Sequence, residues 1–446
     1  MGSARSAAAC LSVLQPWPHY GRLGRGDGAE RIALVGVEPA TLIREYLLLG
    51  LRFDRIESGY VDAFTGDPAL RQTVSAEPAP DPTDLVGQAR RLLAALPDVP
   101  RRNGFDQPRA DYLAAHLRAL ACAGRKFAGE EIGFVDEVHD YFDVRISKGE
   151  AETYRQAHAR LDDLLGGSGA LADRMEAHRI GEEIPPDRLG DCIEAFSSAL
   201  RDRVRAEYPL PDTETVVYQV VTDKPWSGFN YYLGNYRSTV AVNADVKQLM
   251  SNLPRLVAHE SYPGHHTEHC RKEVGLVNRK GHGEQTIFLV NTPQCLIAEG
   301  LADLALHAAI GPGWGRWAAD IYADLGLRFD GERAEAVSEA SAALAGVRQD
   351  AALMLHDEHR GADDVAAFLR RWLLVNDTRA RQMLRFLSSP LWRAYTSTYV
   401  EGYRLLRAWL DDRPTGVSVT ERFGRLLDEP VIPSALPDDS TGQVHR

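Results

Sequence analysis

The stretch Ala258-His259-Glu260-Ser261-Tyr262-Pro263-Gly264-His265-His266 constrains this chain more than any other, because it sets a His-Glu pair and two more histidines inside one segment of helical pattern. Such a cluster reads first as a metal site. Neutral imidazoles hold a divalent ion, and an adjacent carboxylate takes a proton from the water that the ion activates. On this reading His259 is a ligand and Glu260 is the base.

The spacing sets a geometric problem. In the motif H-E-x-x-H the second histidine comes four residues after the first, one turn along the same face. Here that position is Pro263. At about 100° per residue, His265 stands roughly 120° away from His259, and His266 returns to the same face about 10.5 Å along the axis. Neither can share a metal with His259 on an unbroken helix. Proline removes a backbone donor and glycine tolerates unusual dihedrals, so Pro263-Gly264 predicts a bulge that absorbs two extra residues. His265 then takes the second-ligand position. Three alternatives stay open: His266 as that ligand, a separate His265/His269 pair with no glutamate following His265, and a polar helix end whose histidines are merely solvated.

A catalytic zinc site needs a third protein ligand and an open position. The run Thr292-Pro293-Gln294-Cys295-Leu296-Ile297-Ala298-Glu299-Gly300-Leu301-Ala302-Asp303-Leu304 has a proline suited to a helix start and an apolar face around Glu299. A carboxylate among Ile297, Ala298, Leu301 and Leu304 is costly unless paired or bound to metal, which makes Glu299 the third-ligand candidate. Asp303, one turn later, is within reach as its outer neighbour, although an ordinary ion-pair role suits it better.

These residues carry a resemblance. The string H-E-x-x-P-G-H-H, followed by Ala298-Glu299-Gly300, resembles the bacterial family filed as domain of unknown function 885, itself similar in fold to helical zinc carboxypeptidases typified by carboxypeptidase Taq. Gly59-Tyr60-Val61-Asp62-Ala63, Leu161-Asp162-Asp163-Leu164-Leu165 and Tyr399-Val400-Glu401-Gly402 are similar too, so the likeness runs from about residue 40 to about 410. It implies His259, His265 and Glu299 as ligands of one zinc ion, Glu260 as base, and a mostly helical body around a deep cleft. The chain departs from the family at Leu301, where an aromatic is usual, and at Ser389-Pro390-Leu391-Trp392, both bearing on the substrate pocket.

Composition bounds the rest. The chain has 446 residues, a net charge of −12, 44% hydrophobic and 26% charged residues, ordinary for a globular protein and adverse to a general nucleic-acid binder. Cys10, Cys122, Cys192, Cys270 and Cys295 are scattered and odd in number, without a disulfide framework or CxxC pattern, so a reducing cytoplasm is expected. Cys270 and Cys295 lie near the proposed site but suit the core. The first thirty residues lack a signal-peptide apolar region, and no apolar run is long enough to span a bilayer; no membrane partner is expected.

Helical periodicity predicts helices over 40–55, 83–96, 110–123, 150–165 and 188–208, with a proline-rich loop at 77–82 and a glycine turn at 166–169. The β-branched run 213–221 and the segment 238–243 read as strands of a small sheet before the metal helix, while the aromatic stretch from Trp226 to Tyr236 reads as packing. A sheet edge beside the metal can bind extended substrate by strand addition. Pattern from 312 to 410 is helical again. His356 and His359 form a second polar cluster that could line a cleft. Tyr395, Tyr399 and Tyr403 recur at four-residue spacing; by resemblance Tyr399 is the oxyanion donor with Tyr395 as fallback, against a packing stripe. Arg404 suits a salt bridge better than a substrate carboxylate.

The expectation is a mainly α protein: an irregular segment 1–30, a helical region 31–208, a metal-site region 209–430 and an irregular tail 431–446. It is expected to be a zinc-dependent hydrolase of a peptide or small amide. The alternatives are another metal-dependent enzyme of specialised metabolism on the same scaffold, or a non-catalytic metal-binding protein.

Overall fold

The computed structural model describes residues 38–102, 104–224 and 227–436; the expectations for the first thirty residues, for Cys10 and for the last ten residues of the tail lie outside them. The described residues form eighteen α-helices and five short strands, a mainly α fold. Helix starts follow the sequence closely. Pro39, Pro68, Pro82 and Pro293 open helices where a missing N–H costs nothing, and Asp67, Asp81 and Asp106 accept hydrogen bonds from the first-turn amides.

The five helices expected before residue 210 are present as Pro39–Ile56, Pro82–Ala95, Gln107–Phe127, Ala151–Leu165 and Leu189–Glu207. Gly166, Gly167 and Gly169 all take positive φ in the expected turn. Periodicity missed shorter helices such as Phe134–Phe142 and Leu171–Gly181. The tail, expected to be irregular, carries one 3₁₀ turn at Pro433–Ala435 among its described residues.

At the centre lies Pro293–Ala309, buried on nearly every face: residues from Pro293 to Ala302 are all buried, as are Leu304, Ala305 and Leu306. Its continuous apolarity answers to a helix surrounded by protein, since a surface helix would show one polar face. It packs on Leu253–Glu260 and on Thr396–Asp411. The second crossing is a backbone contact. A Cβ on Gly300 would lie 2.4 Å from the Gly402 carbonyl carbon, and one on Gly402 would lie 2.4 Å from the Leu296 oxygen. Only glycine at both positions lets the two helices come this near.

Two small sheets frame the site. β1 (Val61–Phe64) pairs antiparallel with a late strand, Ile287–Leu289. A three-stranded sheet has the order β2-β4-β3, in which β2 (Thr215–Val221) runs parallel to β4 (Arg237–Asn243) and β3 (Gly228–Tyr232) runs antiparallel to it. The aromatic stretch read as packing is thus β3, an edge strand, and its Asn230 Nδ2 donates to the Glu260 carbonyl at 2.6 Å. Among the described residues no single helix is long and apolar enough to cross a membrane. The bent pair Pro293–Ala309 and Trp314–Asp324 passes only by length and composition.

Candidate metal centre

The segment expected to be one bulged helix is two. Leu253–Glu260 stops at Ser261, with φ −133° and ψ −74°, and His265–Lys272 begins after Gly264. The Tyr262–Pro263 peptide is cis. Across the break the Gly264 amide donates to the Ala258 carbonyl at 2.9 Å, and the Thr267 amide donates to Ser261 at 3.1 Å. Any side chain at 264 would meet backbone, for a Cβ there would lie 1.9 Å from the His259 carbonyl oxygen. Proline and glycine turn the chain so tightly that His265 leaves its ideal-helix position and swings back beside His259.

Three side chains from three helices converge. One donor atom each from His259, His265 and Glu299 lies within 4.8 Å of the others. The two imidazoles stand at 89° with centroids 4.8 Å apart. Two imidazoles and one carboxylate are the donor set of a hydrolytic divalent-metal site. Glu299 supplies a direct test of fit: Oε1 accepts the Tyr395 hydroxyl at 2.7 Å, while Oε2 is buried with no hydrogen-bond partner. His259 Nε2 stands 3.4 Å from that oxygen, in ion-pair range but without hydrogen-bond alignment. A buried carboxylate oxygen without a hydrogen-bond partner beside the His259 imidazole, with His265 Nε2 3.8 Å from the other oxygen of the same carboxylate, fits a cation.

Asp303 does more than its sequence suggested. Its Oδ1 lies 3.1 Å from His259 Nδ1, and since an ionised carboxylate only accepts, Nδ1 carries the proton and Nε2 is turned to the site. Burial pushes the His259 pKa down, but the Asp303 hydrogen bond and the carboxylates of Glu299 and Glu260 beside it outweigh burial and raise it well above its usual range. Burial also pushes Glu299 up, and His259, His265 and Tyr395 pull it below the usual carboxylate range. Glu260, by contrast, is pushed up to about 7, first by burial, with Glu299, Asp62 and Asp303 adding to the effect against His259. A divalent cation at the three donors opposes that shift.

His266, the alternative ligand, is elsewhere. Its ring is fully buried, with Nδ1 2.8 Å from Ser238 Oγ and Nε2 3.0 Å from Glu214 Oε2. Glu214 also accepts from the Tyr262 hydroxyl at 2.8 Å, from Arg201 Nε at 2.7 Å and from Arg205 Nε at 3.0 Å. Burial alone would raise this carboxyl, but the His266, Tyr262 and Arg201 hydrogen bonds bring it down to about 2. The break between the two histidines is therefore tied to a buried anion at the head of β2. No motif marks Glu214; its partners are brought together only by the fold.

The rival His265/His269 pair does not form, because the His269 ring stacks on Tyr232 at 4.5 Å and 11°. Tyr395 is committed to Glu299, and Tyr399 stands against it at 5.7 Å between ring centroids. Burial and the carboxylates of Glu299, Asp303 and Glu260 raise the Tyr399 phenol well above its usual range, so it stays a protonated donor. His356 bonds the Leu387 carbonyl at 2.7 Å and Arg404 pairs with Glu401 at 2.8 Å, both structural roles. Cys122, Cys192, Cys270 and Cys295 are free and buried, as expected of core residues.

No family model matches the chain, and no curated protein matches it. Solved structures similar to it include two at 13% identity. One is a protein of Colwellia psychrerythraea described as a lipoprotein, at 13% identity and TM-score 0.48, covering 83% of this chain and 60% of that one. The chain thus spans less than two thirds of that neighbour's length. The other is the M32 carboxypeptidase of Deinococcus radiodurans R1, at 13% identity and TM-score 0.38, covering 91% and 95%. The likeness concerns the fold alone.

Proposed function

We propose that the protein is a zinc-dependent hydrolase of peptide or amide bonds, working in a reducing cytoplasm. The observation that carries this reading is the convergence of His259, His265 and Glu299 within 4.8 Å, with Glu260 next to the first ligand but outside the donor set. When bound, a divalent ion supplies Lewis acidity and makes water a nucleophile near neutral pH. Glu260 takes the proton of the attacking water and passes it to the leaving amine. Tyr399 donates its hydroxyl to the developing oxyanion, while Tyr395 and Asp303 hold Glu299 and His259 in orientation. The β3 edge beside Glu260 offers backbone groups to an extended substrate.

A structural zinc site takes four protein ligands, and among the described residues the cluster has three, which favours catalysis over a purely structural ion. The test is elemental analysis of protein purified without added metal, with a peptide and amide substrate screen. His259→Ala, His265→Ala and Glu299→Ala should each lose bound zinc. Glu260→Gln should keep it and lose about 10² to 10⁴-fold in turnover. Stoichiometric zinc in all three ligand variants, or full activity in Glu260→Gln, would defeat the proposal.

A further inference from the structure

One face of β3 lies along both halves of the broken metal segment. Side chains alternate across a strand, so Gly228, Asn230 and Tyr232 share a face. The Tyr232 ring stacks at 4.5 Å on His269, which belongs to His265–Lys272. Asn230 Nδ2 donates to the carbonyl of Glu260, the last residue of Leu253–Glu260. Gly228 brings only a hydrogen to this face, and the space it leaves is filled from the metal helix. A Cβ at 228 would lie 2.7 Å from Leu256 Cδ1 and 3.0 Å from Glu260 Oε1. Gly228 does not take positive φ, so glycine is needed here for room and not for conformation.

Among the described residues no hydrogen bond or ion pair holds the Glu260 carboxylate, although the carbonyl behind it is tied to Asn230. Packing sets its place, between Leu256 one turn back on its own helix and the bare backbone of β3. Such placement matters for a general base, which must stand within hydrogen-bond reach of the proton it takes; a misplacement of about 1 Å can cost on the order of 10² in rate. The pairing of β3 with β4 brings substrate to the same point. The Asn243 amide donates to the Ser227 carbonyl and the Leu233 amide to that of Arg237, so the odd-numbered residues of β3 bond to β4. The backbone groups of Gly228 and Asn230 turn to the free edge.

Resting on the hydrolase reading, we propose that Gly228 is a positioning residue: its lack of a side chain sets where the Glu260 carboxylate stands relative to a substrate laid along β3. Substitution keeps the N–H and C=O of the edge, so it moves the base without removing the edge. Both atoms that an added Cβ would meet are the ends of flexible side chains, so the strand itself need not shift.

Gly228→Ala and Gly228→Val, the second reaching further into the same space and suited to a strand, test this against the native protein. Crystal structures of the metal-free proteins should show Glu260 Oε1 displaced, and further displaced in the valine variant. Bound zinc and urea stability should stay at the native level in the alanine variant. On the best substrate from the peptide and amide screen, kcat should fall about tenfold with alanine and about 10²-fold with valine, while KM holds. Adding Gly228→Val to Glu260→Gln should cost nothing more, because a base already removed cannot be misplaced. An unmoved carboxylate in the valine structure, a native kcat, a loss confined to KM, or a full additional loss in the double variant overturns the assignment. Full activity in Glu260→Gln overturns the hydrolytic mechanism instead, whatever the crystal structures show, so the two failures are distinguishable.

Discussion

The two sides of the metal centre are built on opposite principles. On the side of the chain break, polar groups are tied down: Glu214 alone collects His266, Tyr262, Arg201 and Arg205, and Ser238 takes the other nitrogen of His266. On the reacting side, Glu299 Oε2 has no hydrogen-bond partner, and burial pushes the Glu260 carboxyl up to about 7. A buried anion with four donors is rigid, and a carboxylate without donors is available. The difference teaches that what must hold still and what must react can be told apart by counting satisfied hydrogen bonds.

Glu214→Ala should break the rigid side most severely. It leaves two guanidiniums, a phenol and a buried imidazole without their anion, and removing one partner of a buried ionic network costs about 3–5 kcal/mol. Urea unfolding of the metal-free protein measures this. The same carboxyl gives a pH signature. With a folded pKa near 2 and an ordinary value of 4.5, its contribution is fully present above pH 4.5 and is lost as pH falls through about 2. Glu214→Gln should flatten the acid limb of a stability-versus-pH series; an unchanged slope would remove Glu214 from that role.

Tyr399→Phe probes the open side. Stability and zinc content should stay at the native level while turnover falls, one oxyanion donor being worth on the order of 10² to 10³ in rate. Unchanged turnover would return Tyr399 to packing. The smallest effect is expected at the seam between the two sides. Tyr395→Phe frees Glu299 Oε1 and should weaken zinc binding about tenfold, the lower end for a group that orients a ligand. A chelator competition titration reads it directly, and equal affinity would mean that Glu299 needs no help from the phenol.

Much of this was legible in the sequence, for reasons that can be named. Helices such as Pro82–Ala95 and Gln107–Phe127 announce themselves by period, proline and capping aspartate. His259, His265 and Glu299 were legible because histidines and a carboxylate in apolar surroundings demand an explanation. The break at Pro263-Gly264 was anticipated as a bulge, but its extent was not, since the sequence does not say how far a turn departs from a helix. Asp303 was underrated although it stands one turn from Glu299, because its partner His259 lies on another helix. Glu214 had no local signal at all. Its surroundings are assembled from distant segments, and only the fold shows that it is enclosed.

The contact between Gly300 and Gly402 ties this together in another way. Glu299 and Tyr399 stand on the two helices that cross there, so the reach from ligand carboxylate to phenol is set by a spacing in which no side-chain atom intervenes. Two short glutamate-glycine motifs, remote in the chain, act as the two halves of a single caliper. Neither half can acquire even a methyl group by itself, and their glycines must persist or change together if the jaws are to close on the same atom.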